Sequence, residues 1–229
     1  MRKIDFLTIL IVGALVSLFI FIPEINNVYK TYNAEHGMIM SFFKFAILAT
    51  FGEMIGLRIR TGYYNKPGFG LIPRALVWGL IGLTIKMAFT IFNTGTIQFL
   101  EYLGMHNATG LLNESLSWGK IFVAFCISST LNIIYAPVMM TFHKITDMHI
   151  VNNGGTIAGF FRPLKMGELM DQINWKVQWN FVFKKTIPLF WIPAHTITFL
   201  LPADYRVLFA AILGIVLGVL LAIAALKKS

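Results

Sequence analysis

The chain has 229 residues, of which 57% are hydrophobic and 13% charged, whereas a typical soluble domain has about half and about a quarter. A soluble domain of this length could not bury so many apolar side chains, and these residues fall in runs as long as a bilayer is thick, so we exclude a water-soluble fold. The net charge of +9 does not predict a nucleic-acid partner, because the basic residues flank the apolar runs, as in cytoplasmic loops of membrane proteins.

The first apolar run covers residues 6–22 and follows Arg2 and Lys3. It is longer than the hydrophobic region of a signal peptide, which has about 7–15 residues. The sequence around Pro23 also offers no small-residue cleavage site. We therefore predict that this run is retained as the first membrane span.

Further apolar runs predict an all-α, polytopic membrane helix bundle of about six transmembrane helices. We expect a single integral membrane domain that covers residues 1–229. Pro73 suits the first turn of the third span, where its missing N–H would be unpaired in any case. The predicted spans are residues 6–22, 37–57, 71–92, 118–142, 186–201 and 207–226.

The distribution of Lys and Arg predicts the orientation of these spans, because cytoplasmic loops are rich in cations. Fourteen cations fall on one side and three on the other, so we expect both termini in the cytoplasm or the equivalent compartment of an organelle. The membrane would be a bacterial inner membrane or an organelle membrane. The first side receives Arg2, Lys3, Arg58, Arg60, Lys66, Arg74, Lys144, Arg162, Lys165, Lys176, Lys184, Lys185, Lys227 and Lys228, and the second receives Lys30, Lys120 and Arg206.

The segment 164–183 has the pattern of an amphipathic helix. Leu169, Ile173 and Val177 lie four residues apart, while the charged residues occupy other positions. Trp175 and Trp179 lie near the apolar stripe, as aromatic rings do at the level of lipid headgroups. We predict one helix lying flat on the cytoplasmic interface, and the alternative is an ordinary loop helix packed on the bundle.

The fifth predicted span contains Pro188 and Pro193, and His195 lies near its centre. Each proline removes a backbone donor and clashes with the preceding turn, so we expect an irregular helix. In lipid the freed carbonyl groups need partners from neighbouring helices, hydroxyl groups or water. This span should therefore lie in the interior of the bundle or beside a cavity.

The end of the chain contains a recognisable string of residues: Trp191, Pro193, Phe199, Pro202, Tyr205 and Arg206. This string resembles the C-terminal signature of the Mpv-type peroxisomal and inner-mitochondrial membrane protein family, and its Pro-x-x-Tyr-Arg ending is matched without gaps. The match is looser upstream, where His195 and Thr198 stand in place of the Gln and Asn of the family. Gly52 and Glu53 resemble a Gly-Asp pair found early in the family. The resemblance implies a small helical membrane protein with channel-like passage of small solutes and no agreed substrate.

Five ionisable residues lie inside or beside the spans, where each is costly unless it is paired or hydrated: Lys44, Glu53, Lys86, His143 and His195. Lys86 is a poor partner for Glu53, because the two lie at different depths of consecutive spans. Arg58 or Arg74 lies at the level of Glu53 and is a better partner. Lys44 and Lys86 are compatible either with snorkelling to the interface or with a solute path.

His195 and Asn132 are expected at similar depth near the bilayer midplane. Polar groups beside a proline-broken helix can form a transport site, but they can also be hydrogen-bonded packing contacts between helices. No second ligand lies three or four residues from His195, so we expect no metal site. No cofactor motif appears either, and we expect no cofactor.

Two small-residue spacings, Gly52–Gly56 and Gly214–Gly218, allow close helix contacts within the chain or in a homo-oligomer. The single cysteine, Cys126, excludes an internal disulfide.

The leading functional hypothesis is a channel or transporter for small solutes or ions, anions in particular. The alternative is a non-transporting structural or assembly membrane protein. Hydrolase motifs and phosphate-binding glycine loops are missing from the sequence, so we expect no enzyme activity. An intramembrane enzyme that uses Glu53 or His195 as a base is the third hypothesis.

Overall fold

The computed structural model describes residues 2–226, without the side chains of residues 224 and 225. Within this range the chain is helical and forms no strand, which confirms the all-α prediction. The elements are α1 (Lys3–Phe21), α2 (Pro23–Glu35), α3 (Gly37–Thr61), α4 (Leu71–Tyr102), α5 (Ala108–Leu111), α6 (Trp118–Asn152), α7 (Ile157–Phe160), α8 (Met166–Asp171), α9 (Trp175–Val177), a π-helical segment (Gln178–Trp191), α10 (Ile192–Leu200) and α11 (Ala203–Leu226).

Five helices are long and apolar enough to cross a membrane, namely α1, α3, α4, α6 and α11. They coincide with five of the predicted spans. Each of the five is longer than predicted, and the extension is greatest in two of them: α4 continues beyond residue 92 to Tyr102 and α6 continues beyond residue 142 to Asn152. The predicted cytoplasmic cations Lys227 and Lys228 lie outside the described residues.

Helix α2 occupies a segment that the sequence analysis left as a loop. Pro23 stands in its first turn, which needs no N–H from this residue. The Tyr29 hydroxyl donates to the backbone oxygen of Asp204 at 2.9 Å, so α2 is held against the start of α11. The helix was missed because its polar composition contains no apolar run of membrane length.

The prediction of one amphipathic helix over 164–183 is wrong. The chain ends α8 at Asp171, turns, and begins α9 at Trp175, where the side chain of Asn174 accepts a hydrogen bond from the Val177 N–H at 3.0 Å. An asparagine that caps a new helix interrupts the predicted one. The apolar residues Leu169 and Ile173 are nevertheless buried, and they pack with Ile145 of α6.

The predicted fifth span, 186–201, lies in a longer helical stretch that joins α9, the π-helical segment and α10. In π geometry an N–H bonds to the carbonyl five residues earlier, as Ile192 does to Ile187. Pro188 lies inside the π-helical segment and Pro193 in the first turn of α10. The Ser128 hydroxyl of α6 donates to the Ile192 oxygen at 2.7 Å, so a neighbouring helix supplies a partner for this backbone.

The long helices form a ring. Helix α11 packs along α3, α3 along α4, and α4 along α6, and α6 packs against both α10 and the π-helical segment. Contacts between α10 and α11 near Pro202 close the ring at one end. Helix α1 lies outside the ring and buries no residue, but Asp5 forms an ion pair with Arg58 of α3 at 2.7 Å.

Glycines allow α3 and α11 to approach closely. A Cβ added to Gly52 would lie 2.9 Å from the Cα atom of Ile215, whereas one added to Gly56 would lie 3.8 Å from the Gly218 oxygen. Gly218 also faces α3, since its added Cβ would lie 3.5 Å from the Gly52 oxygen. Gly214 has open space beside it instead. Three of the four glycines in these spacings, Gly52, Gly56 and Gly218, therefore lie at the contact between α3 and α11 within the chain.

We predict that Gly52→Ala lowers the free energy of unfolding in detergent by about 1–3 kcal/mol, because the new methyl group overlaps the α11 backbone. Gly56→Ala is the matched control, since its Cβ makes an ordinary contact. It should leave stability unchanged or raise it by up to about 1 kcal/mol through better helix propensity. Equal stability of the two variants in an unfolding titration would show that the α3–α11 contact is looser than described.

Candidate functional site

A cavity of about 820 Å³ lies inside the ring, between α3, α4, α6, the π-helical segment and α11. Its volume is within the range of ligand sites, about 300–1,000 Å³. Most of its wall is apolar, as at Ile85, Met139 and Leu217. Polar side chains are concentrated in three places, which are an ionic cluster, a deep end and a mouth.

The ionic cluster is centred on Arg74, which is only 9% exposed. Its guanidinium forms ion pairs with Glu53 of α3 and Asp147 of α6. Its Nε atom also donates to the Phe69 oxygen at 2.6 Å. One cation thus joins three helices and balances part of the charge of two carboxylates, as buried charges require.

Glu53 has two further partners in this cluster. The Trp78 indole N–H donates to the Glu53 carboxylate at 2.8 Å, and Nε2 of His143 lies 3.2 Å from the same oxygen. The His143 and Trp78 rings are 4.3 Å apart between centroids. Both oxygens of the Glu53 carboxylate therefore have partners, and the cluster borders the cavity as a single polar patch.

The sequence analysis predicted part of this cluster. Arg74 is a partner of Glu53 as predicted, while Arg58 pairs with Asp5 of α1. His143 was expected just beyond the fourth span, because the predicted span ends at residue 142 whereas α6 continues to Asn152. Asp147 was missed for the same reason, although its spacing of four residues from His143 places both on one face of a helix.

The deep end of the cavity holds His195 and Asn132, which the structure brings together as expected from their depth. Nδ1 of His195 lies 3.0 Å from the Asn132 side-chain nitrogen, and that amide also donates to the Ser128 oxygen at 2.7 Å. Along α6 this pair is about 16 Å from His143, at about 1.5 Å per residue. The ionic cluster and the deep end are therefore separate polar sites in one cavity.

Trp191 lines the cavity beside this pair, with its ring centroid 5.1 Å from that of His195. Its indole nitrogen is buried and has no acceptor among residues 2–226. A buried donor without a partner is uncommon in folded proteins. This N–H is therefore a candidate contact for an oxygen atom of a ligand.

The mouth of the cavity carries three exposed cations, Arg60, Lys66 and Lys144. None of them has a carboxylate partner within 4.0 Å in the part of the chain that the structure describes. We call the end of the ring at which this mouth lies the cation-rich end. Its charge is available to a ligand, whereas the charge of Arg74 is already compensated.

A second, smaller cavity of about 180 Å³ lies beyond the deep end, towards the α10–α11 turn. Lys86, Arg206 and Asn93 line it. Phe89 borders both cavities, and its ring lies 5.1 Å from that of the buried Phe199. We call Phe89 and Phe199 the aromatic barrier, because these rings separate the two cavities.

Lys44 lines neither cavity, although it was a candidate pathway residue. Its ammonium group donates to the Asn33 side chain at 2.5 Å and lies 4.7 Å from the centroid of the Tyr29 ring. These residues belong to the contact between α2, α3 and α11. Lys86, the other lysine considered, does border the smaller cavity.

The residues that carry the family resemblance surround the α10–α11 turn. Tyr205 donates to the Asn26 side chain at 2.9 Å, and Arg206 donates from Nε to the Leu201 oxygen at 2.9 Å. Phe199 is 1% exposed and forms half of the aromatic barrier. Pro202 separates the two helices, and Trp191 and Pro193 stand at the start of α10.

Comparison of this chain with protein families, curated proteins and solved structures finds no match. The resemblance to the Mpv-type family therefore stays a prediction. Among the described residues there is also no group of three or more His, Cys, Asp or Glu side chains placed to hold a metal ion.

We predict that Arg74→Met lowers the free energy of unfolding by up to about 3 kcal/mol, because two partly buried carboxylates lose their cation. The triple variant R74M/E53Q/D147N should regain most of this loss, since no uncompensated charge remains. Arg60→Met is the matched control for removing a cavity-lining cation, and it should change stability by less than about 0.5 kcal/mol. Unfolding titrations of the purified variants in detergent measure all three effects. A triple variant as unstable as Arg74→Met would contradict the electrostatic explanation.

Proposed function

We propose that this chain is a multi-pass integral membrane protein that passes small anionic solutes. The observation that carries the proposal is the line of two cavities, each bordered by cations without carboxylate partners in the described residues and separated by the aromatic barrier. The proposal has three steps, which concern the membrane, the charge of the solute and the route.

The outer surface of the ring supports a position in lipid. Ile133 and Val138 of α6 are 63% and 68% exposed, and Leu80 of α4 is 51% exposed. Large apolar side chains are exposed in the same way along all the long helices. A surface of this kind is unfavourable in water and favourable against acyl chains.

The charge along the route favours an anion. Arg60, Lys66 and Lys144 border the larger cavity, and Lys86 and Arg206 border the smaller one. Within the larger cavity the carboxylates of Glu53 and Asp147 already bind Arg74. Rings of cations select for anions in pores, and clefts lined by one sign of charge concentrate the opposite ion.

The aromatic barrier makes the larger cavity one-sided. A solute that reaches His195 and Trp191 from the cation-rich end meets the packed rings of Phe89 and Phe199. Passage therefore needs a rearrangement of this barrier, as in transporters that expose a site to one side at a time.

A non-transporting structural or assembly role is the second candidate. One observation favours it: α1 buries none of its residues, and Asp5 anchors one end of the helix to α3. An apolar helix held beside the ring would suit contacts with another membrane protein. This role predicts no solute flux.

We expect Phe89→Ala to raise anion flux severalfold, because it widens the barrier between the cavities. Flux of formate, acetate, lactate and chloride into vesicles that contain the purified protein measures this effect. Phe45→Ala is the matched control: Phe45 lines only the larger cavity and is similarly buried, at 4% against 6% exposure. Both variants should lose stability to a similar degree, about 3–5 kcal/mol.

The outcomes separate the two candidate functions. Flux that rises in Phe89→Ala but not in Phe45→Ala supports passage through the barrier. In the opposite outcome, the unaltered protein and Phe89→Ala both give the flux of empty vesicles while circular dichroism shows an intact fold. This result removes the transport proposal and favours the structural role.

We further propose that both termini face the cytoplasm, which the cation distribution predicts. In a Cys126→Ala background, a cysteine at Asn113 should react with an impermeant maleimide from the outside. A cysteine at Lys66 or Gly155 should react only after the membrane is permeabilised. External labelling at Lys66 would reverse this orientation.

A further inference from the structure

The ring of helices is closed at one end and open at the other. Near Pro202, α10 and α11 are in contact, but among residues 2–226 α11 makes no extensive contact with the π-helical segment or with α6. Leu217 and Leu221 of α11 and Phe181 and Val182 of the π-helical segment nevertheless border the same cavity. The cavity therefore has a side opening between α11 and the π-helical segment, which we call the lateral gap.

The lateral gap lies in the half of the ring that contains the cation-rich end. Gly56, Arg60 and Lys144 line the cavity at this level, together with Leu221 and Ala222 of α11. If the helices span a bilayer, this half of the cavity opens towards the acyl chains of the adjacent leaflet. A ligand can then enter sideways from lipid, with its polar end at the level of the headgroups.

The walls of the cavity suit an apolar chain better than a small hydrated ion. Met139 and Met140 of α6 and Leu217 of α11 line the space between the mouth and the deep end. Methionine side chains adapt their shape to irregular apolar ligands. A volume of about 820 Å³ also exceeds by far what an inorganic anion needs, and it is typical of sites for larger organic molecules.

The cations at the mouth determine the polar end of the ligand. Arg60, Lys66 and Lys144 are exposed beside the cavity. Along α6 the distance from Lys144 to Asn132 is about 18 Å, at about 1.5 Å per residue. An elongated molecule with its anionic end at the mouth and its apolar part along Met139 and Leu217 matches both charge and shape.

We infer that the cavity binds a single-chain anionic amphiphile, such as a fatty acid, which enters from the adjacent leaflet through the lateral gap. The inference rests on the proposed membrane position of the helices and goes beyond the proposed function, because it gives the larger cavity a ligand other than a small solute. The carboxylate binds the cations of the mouth, and the chain lies along Met139 and Leu217.

Quenching of tryptophan fluorescence tests this inference. The variant W118F/W175F/W179F retains Trp78 and Trp191, which both line the cavity. In vesicles of neutral phosphatidylcholine, nitroxide-labelled stearate should quench this fluorescence saturably, and unlabelled stearate should reverse the quenching. Phosphatidylcholine that carries the same nitroxide should quench weakly and without saturation.

Gly214 offers a way to fill the cavity without distorting the helix. It lines the cavity, and a Cβ added to it would meet no atom within 4 Å. Gly214→Phe should therefore abolish the saturable quenching and preserve the fold. Gly13→Phe is the matched control, because Gly13 also has open space beside it but lies on α1 outside the ring.

The polar end of the ligand is tested on the unaltered cavity. The methyl ester of the labelled stearate lacks the charge and should bind at least about tenfold more weakly than the acid, because charge-assisted contacts are lost. The acid should bind the triple variant R60Q/K66Q/K144Q more weakly to the same degree, for the same reason. Equal quenching by acid and ester, or saturable quenching that survives in Gly214→Phe, would overturn the inference.

The same titration distinguishes the route and the function. Saturable quenching by a water-soluble nitroxide-labelled decanoate, with no saturable quenching by the labelled stearate, would refute entry from the leaflet. Saturable stearate binding without anion flux would leave the inference in place and remove the transport proposal. Flux of small anions without stearate binding would remove the inference alone.

Discussion

The contact of Arg74 with Glu53 and Asp147 is the interaction on which the rest of the structure depends. A charge inside a helical bundle is costly, and two carboxylates near one another are costlier still, unless a cation is shared between them. Because the three residues lie on α4, α3 and α6, satisfying their charges fixes the relative position of these helices. The same contact occupies one wall of the larger cavity, so the ionic cluster lies directly beside the space that a ligand could fill. Three cations remain outside the cluster at the mouth, and their charge is the part that a ligand can use.

The position of α11 explains why this space exists. Gly52 and Gly218 let α11 pack closely along α3. Among residues 2–226 the helix held there makes no extensive contact with the π-helical segment, so the ring is open beside the cavity. Gly214, one turn before Gly218, faces this open space instead of α3. The cavity thus exists because the glycines hold α11 close to α3 and not to the π-helical segment. The absence of a side chain at Gly214 adds to the volume of the cavity.

The sequence predicted the helical class and five of the long helices, because apolar runs and Lys and Arg positions depend only on local composition. Depth alone also narrowed the partner of Glu53 to Arg58 or Arg74, and it placed His195 and Asn132 at the same level, where the structure shows the Arg74 ion pair and the His195–Asn132 contact. The sequence analysis failed where local hydrogen bonds or helix length decide the outcome. Asn174 caps a new helix and splits the predicted amphipathic one, and the extension of α6 to Asn152 brings Asp147 into the cluster. The cavity itself could not be predicted, because its volume depends on how far apart α11 and the π-helical segment lie.

The two rings of the aromatic barrier stand on helices with different backbone geometry. Phe89 stands on α4, whose start is fixed by the ion pairs of Arg74. Phe199 stands on α10, which continues from a π-helical segment that contains Pro188. A proline removes a backbone donor, and π geometry is less favourable than α geometry, so this segment has fewer restraints per residue than α4. Ser128 of α6 compensates in part by bonding to the Ile192 oxygen at the junction of the segment with α10. The side of the barrier that faces the π-helical segment therefore stands on the less regular backbone, and the burial of Phe199, at 1% exposure against 6% for Phe89, is what holds its ring in place.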